Sequence, residues 1–207
     1  MSDVSVFGAG KMGTAIGRLA VKGGAAVQIV APTLDEATAI ASSIGATAAK
    51  FGDALSGRIV VFAVPFSAVA EITAAYGERL SGRIIVDITN PIDYATFDAL
   101  VVPADSSAAQ QIAAAVPGAH VLKAFNTTFA GTLTSGQTGG MPTTVLIAGD
   151  DQVAKDELID LVTRSGLAAM DVGCLKRARE LEALGFLQSA LAAAGKITWL
   201  GGFVVAT

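Results

Sequence analysis

One cysteine and one histidine are all that this chain of 207 residues holds of those two types. Cys174 closes no internal disulfide, and His120 by itself supplies neither a metal-ligand spacing nor a Ser-His-Asp or Cys-His set. Metal-centred and nucleophilic catalysis are therefore set aside, and no metal site is expected. Charge is scarce too: Asp, Glu, Lys and Arg make up 15% of the chain, the net charge is -4, and the one basic cluster is "LKRAR", Leu175 to Arg179. That balance offers nothing to nucleic acid. A basic leader followed by an apolar stretch is missing from "MSDVSVFGAG", so a cytoplasmic protein is expected. The segment 183–207 carries Lys196 as its single charge and has the length of a membrane span. It lacks the continuity: Gln188, Ser189, Gly195, Lys196 and the pair Gly201, Gly202 interrupt it, and Leu181, Leu184, Leu187 and Leu191 recur at helical spacing. No membrane partner is expected.

What is abundant is apolar and small. Hydrophobic residues are 52% of the chain, with 23 glycines and alanine-rich runs, which describes a compact globular protein. Short β-branched runs at 4–7, 27–30, 58–64, 83–88, 120–125 and 143–149 alternate with helical patterns at 11–24, 33–43, 66–80, 106–116, 152–165 and 175–194. This rhythm predicts an α/β fold, a doubly wound and mostly parallel sheet with helices on both faces. "IVVFAV" and "IIV" are continuous rather than alternating, as strands covered on both faces require. With no linker in sight, one dinucleotide-binding domain over 1–207 is expected, residues 175–207 forming a C-terminal helix and tail. "TSGQTGGMP", Thr134 to Pro142, reads as a mobile loop.

The first strand runs into "FGAGKMG", which sets Gly8, Gly10 and Gly13 at the opening of a helix. The first permits a tight turn, the second lets backbone approach a pyrophosphate, the third lets helix and strand pack closely, and the helix start offers free N–H groups to the anion. Dinucleotide binding follows. A carboxylate about twenty residues on would hold the ribose of NAD, but Ala31, Pro32 and Thr33 end the second strand. Thr33 and Glu36 read as a capping box. The missing acid permits NADP, with Lys11 as the nearest counter-charge for its 2′-phosphate.

"HVLKAFNTTFAG" carries Lys123, Asn126, Thr127 and Thr128 at the carboxyl end of a strand, where open α/β sheets place ligands. The competing reading makes Asn126 and the threonines turn caps and Phe125 core.

"FGAGKMGTAIG", "VFAVPFSAV", "IIVDITNP", "VLKAFNTTFAGTL" and "DVGCLKRARELEALGFLQ" resemble, in this order and nearly end to end, the NADPH-dependent coenzyme F420 reductase family and the related N-terminal reductase domain of the STEAP metalloreductases. The resemblance implies an NAD(P)-binding Rossmann fold and an oxidoreductase that binds NADP(H) and transfers hydride between its nicotinamide and a flavin or deazaflavin, with coenzyme F420, FMN or FAD as acceptor. It assigns Gly8, Ala9, Gly10, Lys11, Met12 and Gly13 to the cofactor loop; Thr33, at the end of the second strand, is a further expected cofactor contact. Ala63, Val64, Pro65, Asn90 and Pro91 become the nicotinamide side, and Lys123 to Thr128 the acceptor side. Arg179 and Glu182, three apart on the last helix, are expected to pair with each other. Hydride transfer between flat rings needs no acid or base, which suits so sparse an inventory. The alternative is a dinucleotide sensor or scaffold without turnover. The apolar "KITWLGGFVVAT" predicts a homodimer.

Overall fold

The structure of the protein, a computed structural model, describes residues 3–206; positions 1, 2 and 207 of the expected span lie outside it. In chain order the strands are β1 (Val4–Phe7), β2 (Val27–Ala31), β3 (Thr47–Lys50), β4 (Ile59–Phe62), β5 (Ile84–Asp87), β6 (His120–Ala124), β7 (Gln137–Thr138), β8 (Met141–Pro142), β9 (Thr144–Gly149) and β10 (Ala168–Asp171). The helices are α1 (Lys11–Lys22), α2 (Leu34–Ile44), α3 (Val69–Tyr76), α4 (Ala108–Ala115), α5 (Ala130–Ser135), α6 (Gln152–Arg164) and α7 (Ala178–Ala193). Short 3-10 turns lead into α3, follow it, and precede α7, so the helix expected at 66–80 is broken near both ends and that at 175–194 near its start.

Eight strands form one sheet in the order β10-β9-β6-β5-β4-β1-β2-β3. From β3 to β6 neighbours run parallel; β9 is antiparallel to β6, and β10 is parallel to β9. The sheet is thus doubly wound and mostly parallel, as expected. Every residue of β1, β2, β4 and β5 is buried, the burial their unbroken apolar runs call for. Two cores flank them. One holds Ile16, Leu19, Ile44, Leu158 and Leu161 from α1, α2 and α6 against one face. The other gathers Phe7, Phe62 and Tyr76 in edge-to-face contact, with centroids 5.7 and 4.9 Å from Phe7.

The glycine-rich segment expected to be a loop is a hairpin. β7 pairs with β8 across Gly139 and Gly140, whose φ values of 57° and 85° are what a two-residue turn between twisted strands demands. Among the described residues no helix is long and apolar enough to cross a membrane.

Candidate functional site

β1 is flanked by β2 on one side and β4 on the other, and chain order reverses there, opening a crevice at the carboxyl edge of the sheet. The glycine loop fills it. Gly8 has φ 110°, and a Cβ there would overlap the carbonyl oxygen of Ala63, the residue after β4. A Cβ on Gly13 would overlap the Gly8 carbonyl, so α1 can lie this close to β1 only with glycine at that position. Gly10 differs from both: a Cβ would meet nothing within 4 Å. The space in front of it is open, which is the room a pyrophosphate needs. Gly10 is also the N-cap of α1 and offers no side chain to its N–H groups, and the first turn carries no acid. By contrast Thr33, Ser107 and Asp151 cap α2, α4 and α6 through their side chains. The start of α1 therefore keeps its donors and its positive dipole end for an anion. This loop fits a dinucleotide phosphate.

Two hollows open from Gly10. The smaller, about 450 Å³, lies beside the end of β2 and is lined by Ala9, Gly10, Pro32, Glu36, Ala39 and Ile40. Thr33 stands at the start of α2 in a full capping box: its hydroxyl accepts from Glu36 N at 3.3 Å, and Glu36 Oε2 accepts from Thr33 N at 3.3 Å. The expected counter-charge is not here. Lys11, the first residue of α1, lines the larger hollow instead.

The larger hollow, about 970 Å³, continues from Gly10, Lys11 and Met12 along the ends of the next three strands. Ala63, Val64 and Pro65 follow β4, Ile88, Thr89 and Asn90 follow β5, and Phe125, Asn126 and Thr128 follow β6. Tyr94, Phe97, Phe129, Trp199 and Leu200 complete the wall.

The expected residues after β6 divide. Asn126, Thr127 and Thr128 are all buried, but Asn126 and Thr128 line the hollow whereas Thr127 does not, and its carbonyl accepts from Gln188 Nε2 at 3.1 Å. Pro91 is buried and is not part of the lining. Lys123 requires a correction. Its side chain is fully buried, with Nζ 2.7 Å from Asp87 Oδ2 and 2.8 Å from Glu182 Oε1 and donating to the Thr89 carbonyl. It points into an ion cluster beneath the site and presents nothing to an acceptor. Glu182, expected to pair with Arg179, is buried with Lys123 instead and also accepts from the N–H groups of Ala108 and Ala109 at the start of α4. Burial pushes its carboxyl above the ordinary glutamate range despite the neighbouring ammonium and these N–H donors.

Asn126 is held from two sides. Its Nδ2 donates to Asn90 Oδ1 at 2.9 Å and to the Leu181 carbonyl at 2.8 Å, while Asn90 Nδ2 donates to the Asn126 carbonyl at 2.8 Å. Gly185 of α7 packs against the pair, since a Cβ there would come within 2.5 Å of Asn90 Oδ1. The amide orientation leaves Asn126 Oδ1 buried without a partner, and Thr89 Oγ1 is in the same condition. Orphan polar atoms cost about 1–3 kcal/mol each, and both residues line this hollow.

Residues 3–91 match the family model "NADP oxidoreductase coenzyme F420-dependent". Over that part of the chain the match agrees with the family resemblance read from the sequence. A protein of Arthrobacter sp. FB24, provisionally named an F420-dependent NADP-reductase, is 26% identical over the full length of both chains, with a TM-score of 0.85. The hypothetical protein SMa0349 of Sinorhizobium meliloti is 26% identical, with 84% of this chain and 86% of that one covered and a TM-score of 0.76. A reductive aminase of Aspergillus terreus, solved with NADPH and ethyl levulinate, shares the fold at 18% identity and a TM-score of 0.68 over 95% of this chain and 63% of its own.

The match to the F420-dependent family ends at Pro91, so much of the large hollow comes from beyond it. Tyr94 and Phe97 sit in a loop that Asp93 shapes by accepting from Ala95 N at 2.9 Å and Thr96 Oγ1 at 2.9 Å, bonds that hold its carboxyl below the usual range. Phe97 and Phe125 are the two non-glycine residues with positive φ among those described, 55° and 61°, and both line the hollow. Such backbone costs about 1–3 kcal/mol per residue and concentrates at functional sites. Trp199 stacks edge-on to Phe129 at 4.8 Å. Sequence reasoning assigned Trp199 to an interface and passed over Phe97 and Phe129; the repeated aromatics near strand ends are the signal it had. Among the described residues no group of three or more His, Cys, Asp or Glu could hold a metal ion.

Proposed function

We propose that the chain is an NADP(H)-dependent oxidoreductase that passes a hydride between nicotinamide and a flavin or deazaflavin ring lying against it. The observation that carries this reading is the continuity of the large hollow: it begins at the open face of Gly10 and runs past three strand ends to an aromatic wall. A dinucleotide held by Gly8 to Gly13 would reach along it. Ala63, Val64, Pro65 and Asn90 then flank the nicotinamide, and Asn126 and Thr128 flank the acceptor. NADPH, when bound, supplies a hydride from its ring carbon; the acceptor takes that hydride and one proton from water, giving NADP+ and the reduced ring. The protein's share is to align two rings and keep water out, and the lining offers only Lys11 and Tyr94 as titratable groups.

The family description and the name of the Arthrobacter relative support NADP and a deazaflavin. One dinucleotide-binding domain over the whole chain, with the helix and tail from 175 onward closing the site, completes the reading. The exposed Phe203 and Val204 of the tail support a homodimer, for which light scattering at micromolar concentration should return twice the chain mass. The deciding experiment follows NADPH absorbance with coenzyme F420, FMN, FAD and riboflavin. Oxidation with at least one acceptor is expected; stoichiometric NADPH binding with no oxidation by any of them would make the protein a sensor.

A further inference from the structure

The wall of the large hollow is built from rings. Six of the twelve aromatic residues in the chain, counting nine Phe, two Tyr and one Trp, line it: Phe66, Tyr94, Phe97, Phe125, Phe129 and Trp199. Its one charged lining side chain is Lys11, which adjoins Gly10 where the dinucleotide phosphates would lie. Trp199 reaches the wall because the tail is tied back: Phe203 N donates to Gln188 Oε1 at 3.0 Å, and Gly139 N donates to the Leu200 carbonyl at 3.2 Å. Gly131 permits this approach, since a Cβ there would lie 2.5 Å from Leu200 Cδ2.

We propose that the acceptor is recognised by its planar ring alone. The ligand class is an uncharged fused-ring heterocycle, any phosphate or carboxylate tail stays in water, and Trp199 is a ring-contact residue. The inference rests on the hydride-transfer reading for its setting but on the wall's chemistry for its content. Aromatic faces bind flat rings by stacking and are indifferent to what hangs from them. An anionic tail drawn against this wall would lose hydration with no cation to replace it. Phosphate on the acceptor should therefore add nothing to recognition.

Trp199 is the chain's single tryptophan and is 56% exposed, so it reports on the site directly and tolerates replacement. Riboflavin, FMN and coenzyme F420 are titrated into the NADP+-loaded protein while tryptophan emission is followed, and kcat/KM is measured for each with NADPH. Riboflavin and FMN are expected to quench emission with Kd values within about threefold of each other and to be turned over equally well. Trp199→Ala is expected to lower kcat/KM for riboflavin about tenfold with NADPH affinity unchanged, and Trp199→Phe to restore most of it. An FMN or F420 advantage over riboflavin of about tenfold or more that shrinks with salt would reveal a tail-binding cation and overturn the inference while leaving hydride transfer standing. Parental kcat/KM in Trp199→Ala would overturn it equally. Quenching by riboflavin, FMN and F420 alike without turnover of any of them would keep ring recognition and sink the hydride-transfer reading, so the two failures are distinguishable.

Discussion

Gly10 and Gly8 lie two residues apart in one loop, and the structure assigns them opposite consequences on mutation. Gly10 has φ -83° and ψ -176°, extended backbone that any residue adopts, and its missing Cβ faces open space. Gly10→Val should therefore fold. Losing glycine's unfolded-state entropy stabilises by about 0.4–1 kcal/mol, and an apolar residue at an N-cap costs of the order of 1 kcal/mol, so the two nearly cancel. The melting temperature should stay within about 4 °C of the parent. Cofactor binding is another matter, because the isopropyl group stands where the pyrophosphate must approach the N–H groups of α1. Forfeiting two charge-assisted hydrogen bonds costs about 3 kcal/mol or more, which weakens NADPH roughly a hundredfold.

Gly8→Ala fails in the other order. Its φ of 110° is foreign to an L side chain, and the Ala63 carbonyl in its way is held by a strand pair in which Ala63 N donates to the Phe7 carbonyl at 2.9 Å. Strain and overlap together cost about 3 kcal/mol, a drop of roughly 6–12 °C for a chain of this size. Thermal denaturation and titration of NADPH fluorescence on both variants decide it. Near-parental NADPH affinity in Gly10→Val, or a Gly10→Val that melts as early as Gly8→Ala, would refute the assignment of the loop to the phosphates.

Three further outcomes follow from the same geometry. Asn126→Ala should slow single-turnover NADPH oxidation about tenfold with NADPH affinity unchanged; a variant that melts early yet turns over normally per folded molecule would return the segment to the scaffold. Glu36→Gln keeps the α2 capping box but removes a negative charge from the hollow beside β2, so NADPH should gain on NADH by about threefold or more at low salt; an unchanged ratio would place the 2′-phosphate elsewhere. Lys123→Met strands Asp87 and Glu182 without their cation and should cost about 3–5 kcal/mol of stability, whereas Arg179→Ala, which loses only a 3.5 Å contact to the Pro103 carbonyl, should melt like the parent; equal losses in the two would contradict the cluster.

The sheet's centre was legible because β1, β2, β4 and β5 are apolar runs that burial on both faces explains. Its edges were not. β3 is Thr-Ala-Ala-Lys and β10 is Ala-Ala-Met-Asp, stretches of low strand propensity that pair because a neighbouring strand offers a free edge. The glycine loop was readable residue by residue, since Gly8 and Gly13 each answer a local steric demand and Gly10 leaves the approach to the helix start open. The opposite wall was not, because Phe97, Phe129 and Trp199 are brought together by a turn, a six-residue helix and a tail with no shared periodicity. Lys123 misled for a related reason. A lysine at a strand's carboxyl end reads as a ligand contact, and only the fold shows that Asp87 and Glu182 converge on it from β5 and α7.

The buried cluster explains how a site can be fixed by charge and still present none. Asp87 Oδ1 accepts from Thr89 N at 2.8 Å, and Lys123 Nζ donates to the Thr89 carbonyl, so both ends of one residue's backbone are clamped from below. Asn90, the next residue, is thereby aimed at Asn126, and the pair forms the floor of the hollow. Glu182 extends the clamp to α4 through the N–H groups of Ala108 and Ala109. Every polar atom of the Asp87, Lys123 and Glu182 side chains is spent on backbone or on another member of the cluster. What this floor presents to the cavity is amide and hydroxyl surface, positioned rigidly and uncharged, and Lys11 is the one charged side chain elsewhere in the lining. A reaction that moves a proton at a carbon centre would find no partner on that floor, while one that moves a hydride between two stacked rings asks only that the floor not shift.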